Sequence, residues 1–347
     1  MNQAQLERFV SYLQTANWLV FGPKELPKDK DELEEISPFI AAHLPAGKAK
    51  TGFTLIGRIT RPAELALDNR LPFYSFKRFF VPDKEVLFEY QDTALLDKKT
   101  RHKVALLGMS ILDLTAVNLY DQVFEKDAYY QTRRRQLLLV GHSAVPEIAN
   151  NIFERQYEED ILEHLPFDIF LAEEKRGKFK VFSGSLKGQR VLEHFGYSDY
   201  EHVQFSGPVK EGKIDARLDR LRNRLKKHHN PQIWEELAKK CIECGKCTLV
   251  CPTCFCFRID DKPSLGEKSG QRKRCWDSCF YREFSEVGGG HKFLDTTAER
   301  IHFWYFHKFA RIPDEFDFMG CVGCHRCANV CPVGIDIVKV LKDIEEK

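Results

Sequence analysis

The sequence predicts an α/β domain over residues 1–225 followed by a mostly helical, cysteine-organised domain over residues 226–347, in class α+β or α/β overall. Three observations predict it. Through the first two thirds, short apolar runs alternate with segments of helical periodicity, the pattern of strands alternating with helices. All twelve cysteines lie in the last third, and residues 1–240 hold none. Eight of the twelve repeat one spacing: Cys241-x-x-Cys244-x-x-Cys247-x-x-x-Cys251-Pro252, then Cys321-x-x-Cys324-x-x-Cys327-x-x-x-Cys331-Pro332.

The elements follow in order. Gln3 to Asn17 places Leu6, Phe9, Val10 and Leu13 on one helical face. Trp18 to Gly22 reads as a strand, and the charged stretch Lys24 to Glu35 as a solvated loop or helix. Phe53 to Ile59, Phe79 to Val81 and Val86 to Tyr90 read as strands. Lys103 to Gly108 is a buried strand ended by glycine, Leu112 to Val123 a helix, and Arg135 to Gly141 a second buried strand. Phe167 to Ala172 and Phe179 to Ser183 form two more around a charged turn. Residues 213–229 are a basic helix with Leu218, Leu221 and Leu225 as its apolar stripe, either a solvated linker or a docking surface for an acidic partner. Pro231 to Lys240 begins the helix that delivers Cys241, so the domain boundary is expected near residue 225.

The cysteine spacing has a chemical reason. Three thiolates two residues apart wrap one loop around a cubane and bind three of its irons, while the fourth points to the other cluster. The expected ligands are Cys241, Cys244, Cys247 and Cys331 for one [4Fe–4S] cluster, and Cys321, Cys324, Cys327 and Cys251 for the other. The second domain is thus a dicluster, bacterial-ferredoxin-like fold. The proline after each fourth cysteine fixes φ where the chain turns away. A four-cysteine zinc site separates two C-x-x-C pairs by a longer stretch, and a disulfide framework belongs to short secreted chains. The second loop carries His325 and Arg326, whereas Glu243 and Lys246 cancel in the first. The cluster on Cys321, Cys324 and Cys327 is therefore expected to have the higher potential.

A long insertion, residues 257–320, separates the two motifs and is aromatic and basic. It holds Gly288-Gly289-Gly290-His291, which lacks the strand–loop–helix context of a phosphate cradle and reads as a turn. Four cysteines stand outside the repeat: Cys254, Cys256, Cys275 and Cys279. Three roles stay open for them: buried thiols without metal, a substitute ligand, with Cys279 the first candidate to replace Cys251, or a third metal site.

With 43% apolar residues and a net charge of +2, nothing global points to nucleic acid. The N-terminus reads as an amphipathic helix and not a signal peptide, and no run approaches the roughly 18 apolar residues of a membrane span. Thiolate-rich and unexported together imply the cytoplasm of an organism that lives with little oxygen. No nucleophile–base pair, dinucleotide fingerprint or substrate-binding signature is present, so no catalytic residue is assigned.

The order of motifs resembles the iron–sulfur β subunit of cytoplasmic sulfhydrogenase-type [NiFe] hydrogenases and the iron–sulfur electron-transfer subunit of anaerobic sulfite reductase. The carrying stretches are CIECGKCTLVCPTCFCF (241–257), RKRCWDSCFYREFSEVGGGH (272–291) and CVGCHRCANVCPVGIDI (321–337). A weaker, collinear match covers Lys77 to Pro82 with Glu85, Gly108 with Asp113 and Leu114, and Asp127 with Tyr130, Arg133 and Arg134. Together these run from about residue 70 to the end. Family members often carry cysteines where this chain has Ser110-Ile111-Leu112 and His142-Ser143-Ala144, which puts a metal site in the N-terminal domain in doubt. The resemblance implies an electron-transfer role between a flavoprotein that handles NAD(P)H and a catalytic partner, either [NiFe] hydrogenase or a siroheme reductase. The alternatives are a free-standing ferredoxin-like carrier, which has no need of a large cysteine-free domain, and a nucleic-acid enzyme with structural clusters, which needs a basic face.

Overall fold

A computed structural model describes residues 1–25, 54–91, 94–96, 102–143, 161–175, 177–208, 216–227, 231–264 and 268–346. Its strands, in chain order, are β1 (Trp18–Glu25), β2 (Thr54–Arg58), β3 (Lys84–Gln91), β4 (Ala94–Leu96), β5 (Lys103–Ser110), β6 (Leu137–His142), β7 (Ile169–Lys175), β8 (Lys178–Ser183), β9 (Glu201–His202), β10 (Phe257–Pro263), β11 (Ser269–Trp276), β12 (Glu286–Val287) and β13 (His291–Lys292). Its α-helices are α1 (Gln3–Thr15), α2 (Lys77–Phe80), α3 (Ile111–Val123), α4 (Ala128–Gln136), α5 (Leu186–Phe195), α6 (Ala216–Lys226), α7 (Pro231–Ala238), α8 (Lys246–Val250), α9 (Thr297–Phe306), α10 (Ile312–Phe316), α11 (Arg326–Val330) and α12 (Ile337–Glu346).

The N-terminal half is built on a sheet of order β2-β1-β5-β6-β7-β8-β9. β1, β5, β6 and β7 run parallel, with β2 and β8 antiparallel to their inner neighbours. The apolar runs of β5 and β6 are explained by cover on both faces. Ala105, Leu107, Leu138 and Val140 pack in one layer with Leu6, Phe9, Val10 and Leu13 of α1 and Leu192 of α5. The alternate residues Leu106, Met109, Leu137 and Leu139 pack in the other layer with Leu114 and Val117 of α3 and Tyr130 of α4. Helix α1 starts where Asn2 and Gln5 cap each other reciprocally.

Three expectations need correction. Phe79 to Val81 is not a strand: Lys77–Phe80 is one helical turn, because Phe76 and Phe80 lie at helical spacing and both are buried. β5 does not end at Gly108. It bulges there, with Gly108 at φ +72°, and runs on to Ser110. The insertion contributes β10 and β11, two strands that the sequence pattern does not predict. Residues 26–35, Phe53, residues 213–215 and 228–229, and the Leu218 side chain lie outside the described residues.

β10 and β11 join β3 and β4 in a second, antiparallel sheet of order β10-β11-β3-β4. A segment between the two cysteine motifs thus pairs with a strand of the N-terminal half, Ser269 opposite Gln91 and Cys275 opposite Lys84. The expected boundary at residue 225 falls inside α6, whose Leu221 and Leu225 belong to the apolar cluster of the cysteine-bearing half, with Trp234, Trp304, Tyr305, Val340 and Leu341. Gly288 to Gly290 turns the chain between β12 and β13, with φ of +89° at Gly289 and +77° at Gly290. Among the described residues no helix is long and apolar enough to cross a membrane.

Candidate iron–sulfur site

The two cysteine loops share one backbone conformation. Two residues after the first cysteine, Glu243 (φ 56°) and Gly323 (φ 75°) are left-handed; two residues later Gly245 (φ 68°) and His325 (φ 59°) are left-handed again. Each second position opens a short helix, α8 or α11, whose first amides return to its carbonyl: Thr248 N–H to Gly245 O at 3.0 Å, Ala328 N–H to His325 O at 3.2 Å. The glycine has changed place between loops, so each loop holds one side-chain-bearing residue in a disfavoured region. Each such residue is tied down. The Glu243 carboxylate accepts from Thr297 and from the almost fully buried Arg300, and His325 Nε2 lies 3.0 Å from Asp336.

The loops bring their cysteines together across the motifs. Cys241, Cys244, Cys247 and Cys331 line one cavity, walled by the rings of Phe280, Trp304 and Tyr305. Cys251, at the end of the first motif, is not part of that lining and lies within electrostatic reach of Cys321, Cys324 and Cys327 as well as of Cys247. Cys327 also borders the first cavity, so the two quartets are neighbours. Burial pushes most of these thiols up: Cys247 and Cys327 well above the ordinary range, and Cys321 to about 12. Cys251 runs the other way. The hydrogen bond from the Cys254 thiol and the nearby Lys308 ammonium hold it well below the ordinary range despite burial. A thiol must lose its proton to bind iron, so loading the quartets releases protons.

Charge around the second quartet differs from expectation. Arg326 is buried, but much of its charge is offset by a bidentate pair with Asp113 of α3, at 2.9 Å on both arms, and it donates to Pro72 O at 2.9 Å. A buried cation without a carboxylate partner among the described residues is Lys308, which the motif spacing does not mark. Its Nζ is buried and donates to Cys251 Sγ at 3.3 Å, Thr253 Oγ1 at 3.0 Å and Gly320 O at 2.9 Å. Burial works against its charge, but the thiols of Cys251, Cys254 and Cys321 outweigh burial and favour the ammonium. It sits in a π-helical turn, His307–Arg311, between α9 and α10. A helix widened next to cysteines is the structural signal; nothing in the local sequence marks it.

The N-terminal half supports the second loop directly. Leu112 and Ala116 of α3 pack on Val322 and Cys324, and Leu119 packs on Ile312 and Phe318. Lys77 Nζ donates to Thr248 O at 3.0 Å and stands 4.1 Å over the Trp276 ring, whose Nε1 donates to Val81 O at 2.8 Å. Burial lowers the Lys77 pKa, opposed in part by Cys254, Cys251 and Cys256. Arg274 of β11 pairs with Glu85 of β3 and Asp127 at the start of α4.

The four remaining cysteines divide. Cys254 lies beside Cys251, and Cys256 beside Cys279. Cys275 stands apart on β11, with Asp260 as its partner. In the N-terminal half, Ser110 and His142 are register partners on β5 and β6, so the two stretches that carry cysteines in resembling proteins lie side by side here as serine and histidine. Among the described residues no three His, Cys, Asp or Glu side chains converge at the spacing of a single metal ion.

Two comparisons bear on this arrangement. The family described as "4Fe-4S dicluster domain" matches residues 240–335. Sulfhydrogenase 2 subunit beta of Pyrococcus furiosus is 30% identical over 295 residues, spanning 82% of this chain and 86% of that relative.

Proposed function

The chain belongs to the family of sulfhydrogenase β subunits, and on that premise we propose that it passes single electrons through two [4Fe–4S] clusters inside a multisubunit cytoplasmic complex. The donor and acceptor in this reading are a flavoprotein that handles NAD(P)H and a catalytic [NiFe] hydrogenase subunit. The observation that carries it is that Cys331 of the second motif lines the cavity of Cys241, Cys244 and Cys247, while Cys251 of the first lies near Cys321, Cys324 and Cys327, as crossed ligation requires. Cys241, Cys244, Cys247 and Cys331 would hold the first cluster, and Cys321, Cys324, Cys327 and Cys251 the second. When bound, such a cluster supplies reversible one-electron exchange.

The chain's own residues set the conditions for that exchange. Phe280, Trp304 and Tyr305 keep water from the first quartet. Ile335 N–H donates to Cys331 Sγ at 3.3 Å, and Lys308 Nζ to Cys251 Sγ, and hydrogen bonds to ligand sulfur raise potential. The first quartet is the one with an exposed apolar rim: Ile242 is 61% exposed and Val333 36%. This rim is where a partner's redox centre would approach, while Cys251, Cys321 and Cys324 of the second quartet are buried.

Anaerobic purification of the native complex, with mass spectrometry of what stays bound, tests the reading. A [NiFe] large subunit together with a flavoprotein is the expected result. A siroheme subunit would move the chain to sulfite reduction. A chain that runs alone and still exchanges electrons with a soluble flavoprotein would contradict the complex and favour the free carrier.

A further inference from the structure

The cavity of the first quartet holds a polar group with no assigned role. Trp304, in the last turn of α9, lines that cavity beside Cys241, Cys244, Cys247 and Cys331. The residue is 6% exposed, and its indole Nε1–H is buried with no acceptor among the described residues. A buried donor without an acceptor carries the full cost of its desolvation, so native interiors rarely keep one. Indole nitrogen donates and does not accept. The group therefore calls for an acceptor that the polypeptide alone does not provide.

Its neighbours do not share this position. Phe280, the ring beside it in the cavity wall, has no donor. Trp276 already gives its Nε1–H to Val81 O at 2.8 Å. Trp234 also buries an unpaired Nε1, but it lines a separate groove with Pro231, Leu294 and Phe303, and not the cavity of the thiols. Packing holds the Trp304 ring in place: Tyr305 meets it edge-on at 4.8 Å between centroids, and Phe280 lies at 6.2 Å. One turn further on, the Lys308 ammonium stands 5.3 Å over the same ring while it donates to Cys251 Sγ at 3.3 Å. Trp304 thus lines the cavity of the first quartet and carries the cation of the second against its face. The acceptors that gather at the cavity are the four sulfurs, and sulfur is a weak acceptor as a neutral thiol. Bound to iron as thiolate, or present as cluster sulfide, it is anionic and accepts strongly.

We propose that Trp304 Nε1–H donates a hydrogen bond to sulfur of the first cluster and raises the potential of that cluster. The proposal rests on the reading that Cys241, Cys244, Cys247 and Cys331 hold a [4Fe–4S] cluster. It adds a side-chain donor to the backbone one, Ile335 N–H, which reaches Cys331 Sγ at 3.3 Å. Hydrogen bonds to sulfur are a principal control of cluster potential. Trp304 is a positioning and tuning residue here, not a ligand.

Pulsed EPR of the reduced, full-length chain, grown with heavy-nitrogen-labelled tryptophan and purified anaerobically, tests this. The first cluster's signal is identified by its loss in Cys241→Ser. That signal should show a heavy-nitrogen coupling and an exchangeable-proton coupling, both absent from Trp304→Phe and both kept in Trp234→Phe. In redox-titrated EPR, Trp304→Phe should move the midpoint of the first cluster to a more negative value and leave the second unchanged, because a ring remains under Lys308. A native first-cluster signal without the nitrogen coupling, or a coupling that survives in Trp304→Phe, overturns the proposal. So does an unchanged first midpoint, or an equal shift of both clusters, which would make the residue a packing element only. The native spectrum decides the matter even where Trp304→Phe fails to assemble. A Cys241→Ser chain that keeps both cluster signals would sink the dicluster reading itself, and the proposal with it.

Discussion

A buried lysine contributes to the electrostatics of the second quartet. The sequence places His325 and Arg326 beside Cys324 and Cys327; Asp113 offsets much of the Arg326 charge, although the guanidinium still acts on Cys324, and Lys308, which donates to Cys251 Sγ, adds a second cation that should raise the potential of this quartet. Replacing it by methionine should move the midpoint of the second cluster to a more negative value and leave the first unchanged, while Lys308→Arg keeps most of the native value. Redox-titrated EPR reads both, and equal shifts in the two clusters would refute this assignment. Arg326 has a different task. It is 1% exposed and fastens the loop to α3 through Asp113. Asp113→Ala strands a buried guanidinium, so denaturant unfolding should show a loss of about 3–5 kcal/mol; a loss below about 1 kcal/mol would show that the pair is not structural. Neither Asp113 nor Lys308 could be matched to its partner from sequence, because the partners lie 213 and 57 positions away and no periodicity links them.

At the scale of elements, the join between β3 and β11 decides how the halves hold together. Arg274 is the centre of that join, paired with Glu85 and Asp127. Burial alone would raise the Asp127 carboxyl, but the hydrogen bonds from Arg274 and the Tyr130 amide outweigh it and hold the group below the usual aspartate value. The folded state therefore favours the charged form. Its contribution is present at neutral pH, above the unfolded pKa, and fades as pH falls through the lower folded pKa. Asp127→Asn should cost about 2 kcal/mol at neutral pH and progressively less in acid, measured by thermal unfolding from neutral pH down to about pH 3. A cost that does not shrink in acid would point to packing instead of charge. The strands of this join were hard to read. β10 and β11 carry FRIDDKP and SGQRKRCW, and β10 is exposed along most of its length, so no apolar alternation betrays it. By contrast β5 and β6, covered on both faces, stand out as apolar runs, and the helical spacing of Phe76, Phe79 and Phe80 was legible but outweighed by their β propensity.

For the molecule as a whole, the cysteine repeat told more about the site than any part of the rest told about the fold. Ligand spacing is local, and a cubane demands it, so eight thiols could be proposed as ligands before folding. How the N-terminal domain wraps the second loop is a matter of tertiary contacts and was invisible. One consequence concerns truncation. A chain cut at residue 225 splits α6 from its packing partners and leaves β3 without β11, so residues 226–347 alone should expose apolar surface and lose the second cluster first. Dye binding and iron content of the fragment check this; a monomeric fragment with full iron would show that the cysteine-bearing half stands alone.

The proposed electron path depends on the crossing of the two motifs, and variant EPR under anaerobic conditions tests that crossing most directly. Cys331→Ser should perturb the same cluster signal as Cys241→Ser, and Cys251→Ser the same signal as Cys321→Ser. If Cys331→Ser instead altered the signal that Cys321→Ser alters, each motif would hold its own cluster, and the path proposed here would be wrong.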